Sequence, residues 1–186
     1  MERTAERNVA YKICIVALAI CINLVGGQIA LFLKLPIYLD SIGTVLIASV
    51  LGPFYGMIPN VISGILLGMT VDIYSLYYAP VGIILGFVTG LVYKKYQPKK
   101  RGILLAAVVI TIPSTIVSSC ITAFLFGGIT SSGSSLIVQL LSRTPLGMVG
   151  SCFVVQFLTD YLDRVICLYA VAAITRALPH NLKERF

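Results

Sequence analysis

Long apolar runs alternate along the chain with short clusters of polar, Gly and Pro residues. The run "CIVALAICINLVGGQIALFL" gives way to "KLPIYLDSIGT", and "VLIASVLG" follows. A helix needs about 20 apolar residues to cross the hydrocarbon core of a bilayer. The pattern predicts six spans, over 11–33, 41–51, 55–71, 80–93, 102–126 and 159–178, with a start near Met148 as the alternative for the last. The second is short and ends at "GPFYG", where Pro53 and the flanking glycines break a helix. Between the last two spans lies an outer segment, 127–158, whose Gly, Ser and Thr content argues against a straight membrane helix. Within it, "LIVQLL" reads as a short helix lying on the surface. No internal repeat is visible, and 1–186 reads as a single membrane domain.

Composition supports the spans. The chain is 58% hydrophobic and 11% charged, with mean hydropathy +0.97, whereas a soluble domain is roughly 25% charged. Too few polar residues exist to cover a soluble globule, so the expected class is an all-α integral membrane protein. The first stretch, "MERTAERNVAYK", is charged, and no small-residue cleavage site follows the first apolar run. The first helix is therefore expected to stay in the membrane.

The net charge of +7 concerns topology rather than nucleic acid, which is not an expected partner. Arg3, Arg7 and Lys12 precede the first span, and Lys94, Lys95, Lys99, Lys100 and Arg101 separate the fourth and fifth. Arg176, Lys183 and Arg185 follow the last. With six spans these segments share one side, which the bias of Lys and Arg assigns to the cytoplasm together with both termini. The other side receives Lys34 and Arg143, and Arg164 lies inside the last span. The plasma membrane is the expected location.

Little in the sequence suggests catalysis. Cys14, Cys21, Cys120, Cys152 and Cys167 form no C-x-x-C pair and read as buried free thiols. The one histidine, His180, lies in the polar tail, which leaves no zinc site or Ser-His-Asp triad in the body. No G-x-x-x-x-G-K-[ST] loop is present, so the chain itself is not expected to hydrolyse ATP. It reads as a non-enzyme without metal or cofactor.

The non-basic polarity gathers on the outer side, in "KLPIYLDSIGT", in "TVDIYSLYYAP", in the Gly/Ser-rich segment and in "TDYLDRV". A charge at mid-membrane costs about 2.5–3.5 kcal/mol, so intramembrane charges face partners or wet cavities. Asp160, Asp163 and Arg164 share a helix face at i, i+3 and i+4, and the spacing pairs Asp160 with Arg164. Asp163 is then left for a ligand or for Lys34. Tyr38, Asp40, Ser41, Thr44, Asn60, Tyr74, Tyr78, Asp163 and Arg164 are the candidate ligand contacts. Each has a plainer reading. The tyrosines, with Tyr77, suit an interfacial belt, and Asp40 suits a helix cap. Asn60 and Gln28 suit interhelical hydrogen bonds, and Asp160 to Arg164 suit a solvated helix start. Ala17, Cys21, Gly26 and Ala30 dot the first span, where small residues let another helix approach, inside the bundle or from outside it.

Nearly the whole chain resembles the S-component of an energy-coupling factor (ECF) transporter, the small substrate-binding membrane subunit of vitamin and micronutrient importers. The residues that carry the resemblance are "LPIYLDSIGTVLIASVLGPFYGMIPNVISGIL" and "DYLDRVICLYAVAAITRALP". In the latter an Asp-Lys pair is common in the family, and here it is Asp163-Arg164. Members often show Ala-x-x-x-Ala on the first helix, where this chain has Ala17-x-x-x-Cys21 and Gly26-x-x-x-Ala30. The resemblance implies ligand capture outside the cell and closure by the loop after the first helix. It also implies association with a transmembrane coupling subunit carrying two ATPases, then toppling and release inside. "KLPIYLDSIGT" is then a lid and part of the site. Acids with one Arg suit a neutral or zwitterionic polar ligand and the tyrosines a flat ring, which points to a B-group vitamin such as pyridoxine, riboflavin or pantothenate. The rival readings are a stand-alone proton-coupled secondary transporter using Asp160 or Asp163, a membrane ligand-sensor module, and an intramembrane enzyme.

Overall fold

A computed structural model describes residues 2–98 and 102–177, with side chains from Val9 onward. Lys99, Lys100, Arg101, His180, Lys183 and Arg185, and the side chains of Arg3 and Arg7, lie outside the described residues. The described chain is all-helical. Its helices are α1 (Glu2–Phe32), α2 (Ile42–Leu51), α3 (Pro53–Thr70), α4 (Tyr74–Tyr77), α5 (Ala79–Lys95), α6 (Gly102–Cys120), α7 (Ser135–Leu141) and α8 (Gly147–Ala177). A π-helical turn, Ile121–Leu125, extends α6. Two helical stretches, Val9–Phe32 and Gly102–Leu125, are long and apolar enough to cross a membrane.

Local chemistry sets most of the boundaries. α1 ends in a Schellman motif: Leu35 N–H reaches Ala30 O at 2.9 Å and Lys34 N–H reaches Leu31 O at 3.1 Å. Lys34 takes the left-handed position (φ 48°) that usually goes to glycine. α2 stops at Gly52, whose φ of 86° is open to glycine, and Pro53 begins α3, where a missing N–H costs nothing. The short helix expected at "LIVQLL" is α7, with Leu136 and Leu140 exposed.

The last helix differs from the sequence reading of 159–178. α8 begins at Gly147, next to the earlier of the two starts, and the outer segment is correspondingly shorter. Cys152 and Val155 on its first half pack against Val138 of α7, and this burial supports a stretch whose own composition is a poor helix signal. Asp160, Asp163 and Arg164 therefore sit in the middle of a helix, all buried, rather than at a solvated start.

α1, α3, α5, α6 and α8 pack in that order, and α2 is wedged against α1, α3, α5 and α8. A core of Val45, Leu85, Ile103, Ala107, Ile110 and Leu168, among others, joins α2, α5, α6 and α8. The small residues of α1 divide between two surroundings. Ala30 is buried and Gly26 lies under the following loop, while Ala17 and Cys21 face outward. The cysteines divide similarly: Cys152 and Cys167 are buried, but Cys14, Cys21 and Cys120 are exposed because their helix faces meet no neighbour.

Candidate ligand-binding cavity

A cavity of about 100 Å³ opens at the end of the bundle where α1 passes to α2, α3 to α5 and α6 to α8. Its roof is the loop between α1 and α2, together with the segment after α6. These two pieces of chain touch closely: a Cβ on Gly133 would come within 2.2 Å of Lys34 O. Ser131 Oγ donates to Asp72 Oδ2 at 2.9 Å, tying the second piece to the turn after α3. Phe126 packs edge-on against Tyr74 and Tyr77, with ring centroids 4.8 and 5.4 Å away.

Of the residues expected to contact a ligand, Tyr38, Asp40, Ser41, Asn60, Tyr74, Tyr78 and Arg164 line this cavity. Asp40 accepts a hydrogen bond from Ser41 Oγ at 2.8 Å, and its own carbonyl accepts one from Asn60 Nδ2 at 3.3 Å. Ser41 is the N-cap of α2 but makes no side-chain cap bond. Tyr78 Oη shares a 2.5 Å hydrogen bond with Thr122 Oγ1, to which Gln156 Nε2 also donates. Burial pushes the Asp40 carboxyl above its usual range, with the Asp163 charge adding to the effect and Arg164 and Ser41 opposing it. Burial likewise raises the Tyr38 phenol well above its ordinary value, with Asp160 adding and Ser134 and Ser132 opposing.

Two expected contacts lie elsewhere. Thr44 is fully buried between α1 and α2 and accepts a hydrogen bond from Asn23 Nδ2 at 2.9 Å. Asn23 Oδ1 also accepts the Gly43 N–H at 2.8 Å. A side chain of α1 thus does the work of a cap for α2, and Thr44 belongs to that clamp. Asp163 is fully buried as well. Its Oδ1 accepts the Leu39 N–H at 2.8 Å, and its Oδ2 accepts from Arg164 Nη1 at 2.5 Å. It pins the roof loop to α8 and is not spare for a ligand or for Lys34. Leu39, the residue it holds, has φ 53°, an uncommon conformation for a bulky side chain.

The expected Asp160–Arg164 pair is replaced by Asp163–Arg164. Asp160 instead lines the cavity, its Oδ2 accepting from Thr115 Oγ1 at 2.7 Å and Ser118 Oγ at 3.4 Å. Thr115 and Ser118 belong to a buried polar face of α6 with Thr111, Ser114 and Ser119, which Thr122 of the π-helical turn continues. The spacing i, i+3, i+4, i+7 and i+8 made that face legible in the sequence. Asp72 and Ser131 also line the cavity. Gln28 is exposed, and Asn23 is the buried amide of α1.

The arrangement suits binding. Hydroxyl, amide, carboxylate and guanidinium groups converge among aromatic and aliphatic walls. In comparisons with protein families, with curated proteins and with solved structures, nothing matches this chain.

Proposed function

We propose that this chain is a membrane-embedded substrate-binding protein of the ECF S-component type. It captures a small vitamin-like molecule outside the cell and delivers it with a coupling subunit and two ATPases. The observation that carries this reading is the roofed cavity, with polar groups converging among apolar walls, at one end of the bundle. Its roof is the loop that the family resemblance assigns to the lid. Leu18, Leu105, Phe124 and Leu158 exemplify the outward apolar surface, which suits lipid better than water.

In this reading the chain crosses the membrane six times. α2, at 10 residues, covers only about 15 Å and crosses with help from its flanking loop. Lys12, Lys94, Lys95 and Arg176 lie toward the end away from the cavity, which is the cytoplasmic end by charge bias. Lys34→Cys and Ser132→Cys variants are then labelled from outside intact cells and Lys95→Cys is not. Labelling of Lys95→Cys alone reverses the orientation.

The deciding experiment is transport. Ligand carried through purification is identified by mass spectrometry and offered to proteoliposomes. Accumulation that requires the coupling subunit and ATP hydrolysis supports the proposal. Concentrative uptake by this chain alone, driven by a proton gradient, replaces it with a secondary transporter.

A further inference from the structure

We infer that the ligand of this cavity carries a protonated nitrogen on or beside a small flat ring. The inference rests on the ligand-binding reading above and names the ligand's chemistry. Asp40, Asp72, Asp160 and Arg164 line the cavity, with Asp163 paired to Arg164, and among the described residues Arg164 is the only basic residue in the lining. Arg164 Nη1 pairs with Asp163 Oδ2 at 2.5 Å, and its single positive charge is shared with Asp40 and Asp160, so the carboxylates outnumber it.

Asp40 and Asp160 are then left with neutral donors. Ser41 serves Asp40, and Thr115 and Ser118 serve Asp160. Hydroxyl groups supply hydrogen bonds but no counter-charge, and a buried carboxylate without one is costly. Protonating one of the two still leaves the other anionic. Exclusion of water by the roof strengthens attraction for a cation. Two oxygens, Asp160 Oδ1 and Asp40 Oδ2, have no side-chain donor among the described residues.

A ligand carboxylate would meet Asp40 and Asp160. Tyr38, Tyr74 and Tyr78 line the same space and offer π-faces to a ring and to a cation.

The test uses three probes with one ring and different charge: benzylamine, benzyl alcohol and benzoate. Each is titrated by calorimetry into the purified full-length protein in detergent at neutral pH. Benzylamine is expected to bind at least about tenfold tighter than benzyl alcohol, and benzoate more weakly than either. Asp160→Asn is expected to bring amine and alcohol within about threefold of each other. If Asp160→Asn does not fold, Asp40→Asn carries the same expectation. Benzoate binding as well as benzylamine, equal binding of amine and alcohol, or no binding of any probe overturns the inference. An anionic retained ligand with ATP-dependent uptake overturns it while leaving the transport proposal standing. Amine preference with uptake independent of the coupling module does the reverse.

Discussion

The two ends of the bundle are closed by different means. At the end bearing Lys12, Lys94 and Lys95, backbone meets backbone across α3 and α5. A Cβ on Gly86 would lie 2.2 Å from Gly56 O, and one on Gly90 would lie 2.3 Å from Pro53 Cα. Little there can separate without losing packing over a whole helix face. At the cavity end it is loops that close the bundle: Gly133 lies against Lys34 O and Gly26 against Leu39 O, and side-chain hydrogen bonds join Asp163 to Leu39 N–H, Ser131 to Asp72 and Asn60 to Asp40 O. The roof loop also holds both positive-φ residues other than glycine among the described residues, Lys34 and Leu39. Such conformations cost of order 1–3 kcal/mol each and persist only when neighbours hold them. One end is thus closed by whole helices packed at glycines, and the other by loops held through close backbone approaches and a handful of polar contacts.

The largest expected effect comes from Asp163→Ala. It frees the Leu39 N–H and leaves Arg164 buried without its partner, a loss of about 3–5 kcal/mol. The expected outcome is a marked fall in melting temperature in detergent, with increased proteolysis of the roof loop. A variant as stable as the parent, with an equally protected loop, would erase the distinction between the two ends.

Gly86→Val tests the other end. Overpacking typically costs about 1–3 kcal/mol, and the obstructing atoms here are the Gly56 carbonyl and the Met57 backbone nitrogen rather than a flexible side chain. The melting temperature should fall while the folded fraction keeps its ligand affinity. An affinity loss in fully folded protein would mean that the glycine-packed end also governs the cavity.

The smallest effect is expected from Lys12→Ala. Lys12 Nζ sits 5.3 Å from the centroid of the Tyr55 ring, an interaction worth about 0.5–1 kcal/mol. Thermal melting should show a slight destabilisation and calorimetry no change in binding. A change in affinity would couple the two ends directly.

Much of this contrast was legible in the residues. The break at Gly52–Pro53 follows from glycine's access to positive φ and proline's missing N–H, and both are properties of a residue type. The clustering of Tyr38, Asp40, Tyr74 and Tyr78 around one cavity followed from apolar runs that placed their segments at a common end, whereas Asn60 reaches it from within α3. The sequence also put Asp160, Asp163 and Arg164 on one helix face, because 3.6 residues per turn fixes relative direction.

Tertiary structure decided what each direction meets. Spacing favoured Asp160 with Arg164, but the Leu39 N–H fixes the Asp163 carboxylate, and Arg164 pairs with its immediate neighbour. Asp160 is thereby left to Thr115 and Ser118 of α6 and to the cavity. Asn23 and Thr44 carry no signal that they clamp α1 to α2, because the approach of Gly43 to Ala19 O that brings them together involves backbone alone. The start of α8 at Gly147 likewise depends on packing against α7. Periodicity and turn chemistry are local and reside in the sequence. The partner of a buried charge is set by which helix lies opposite, and that exists only once the bundle is assembled.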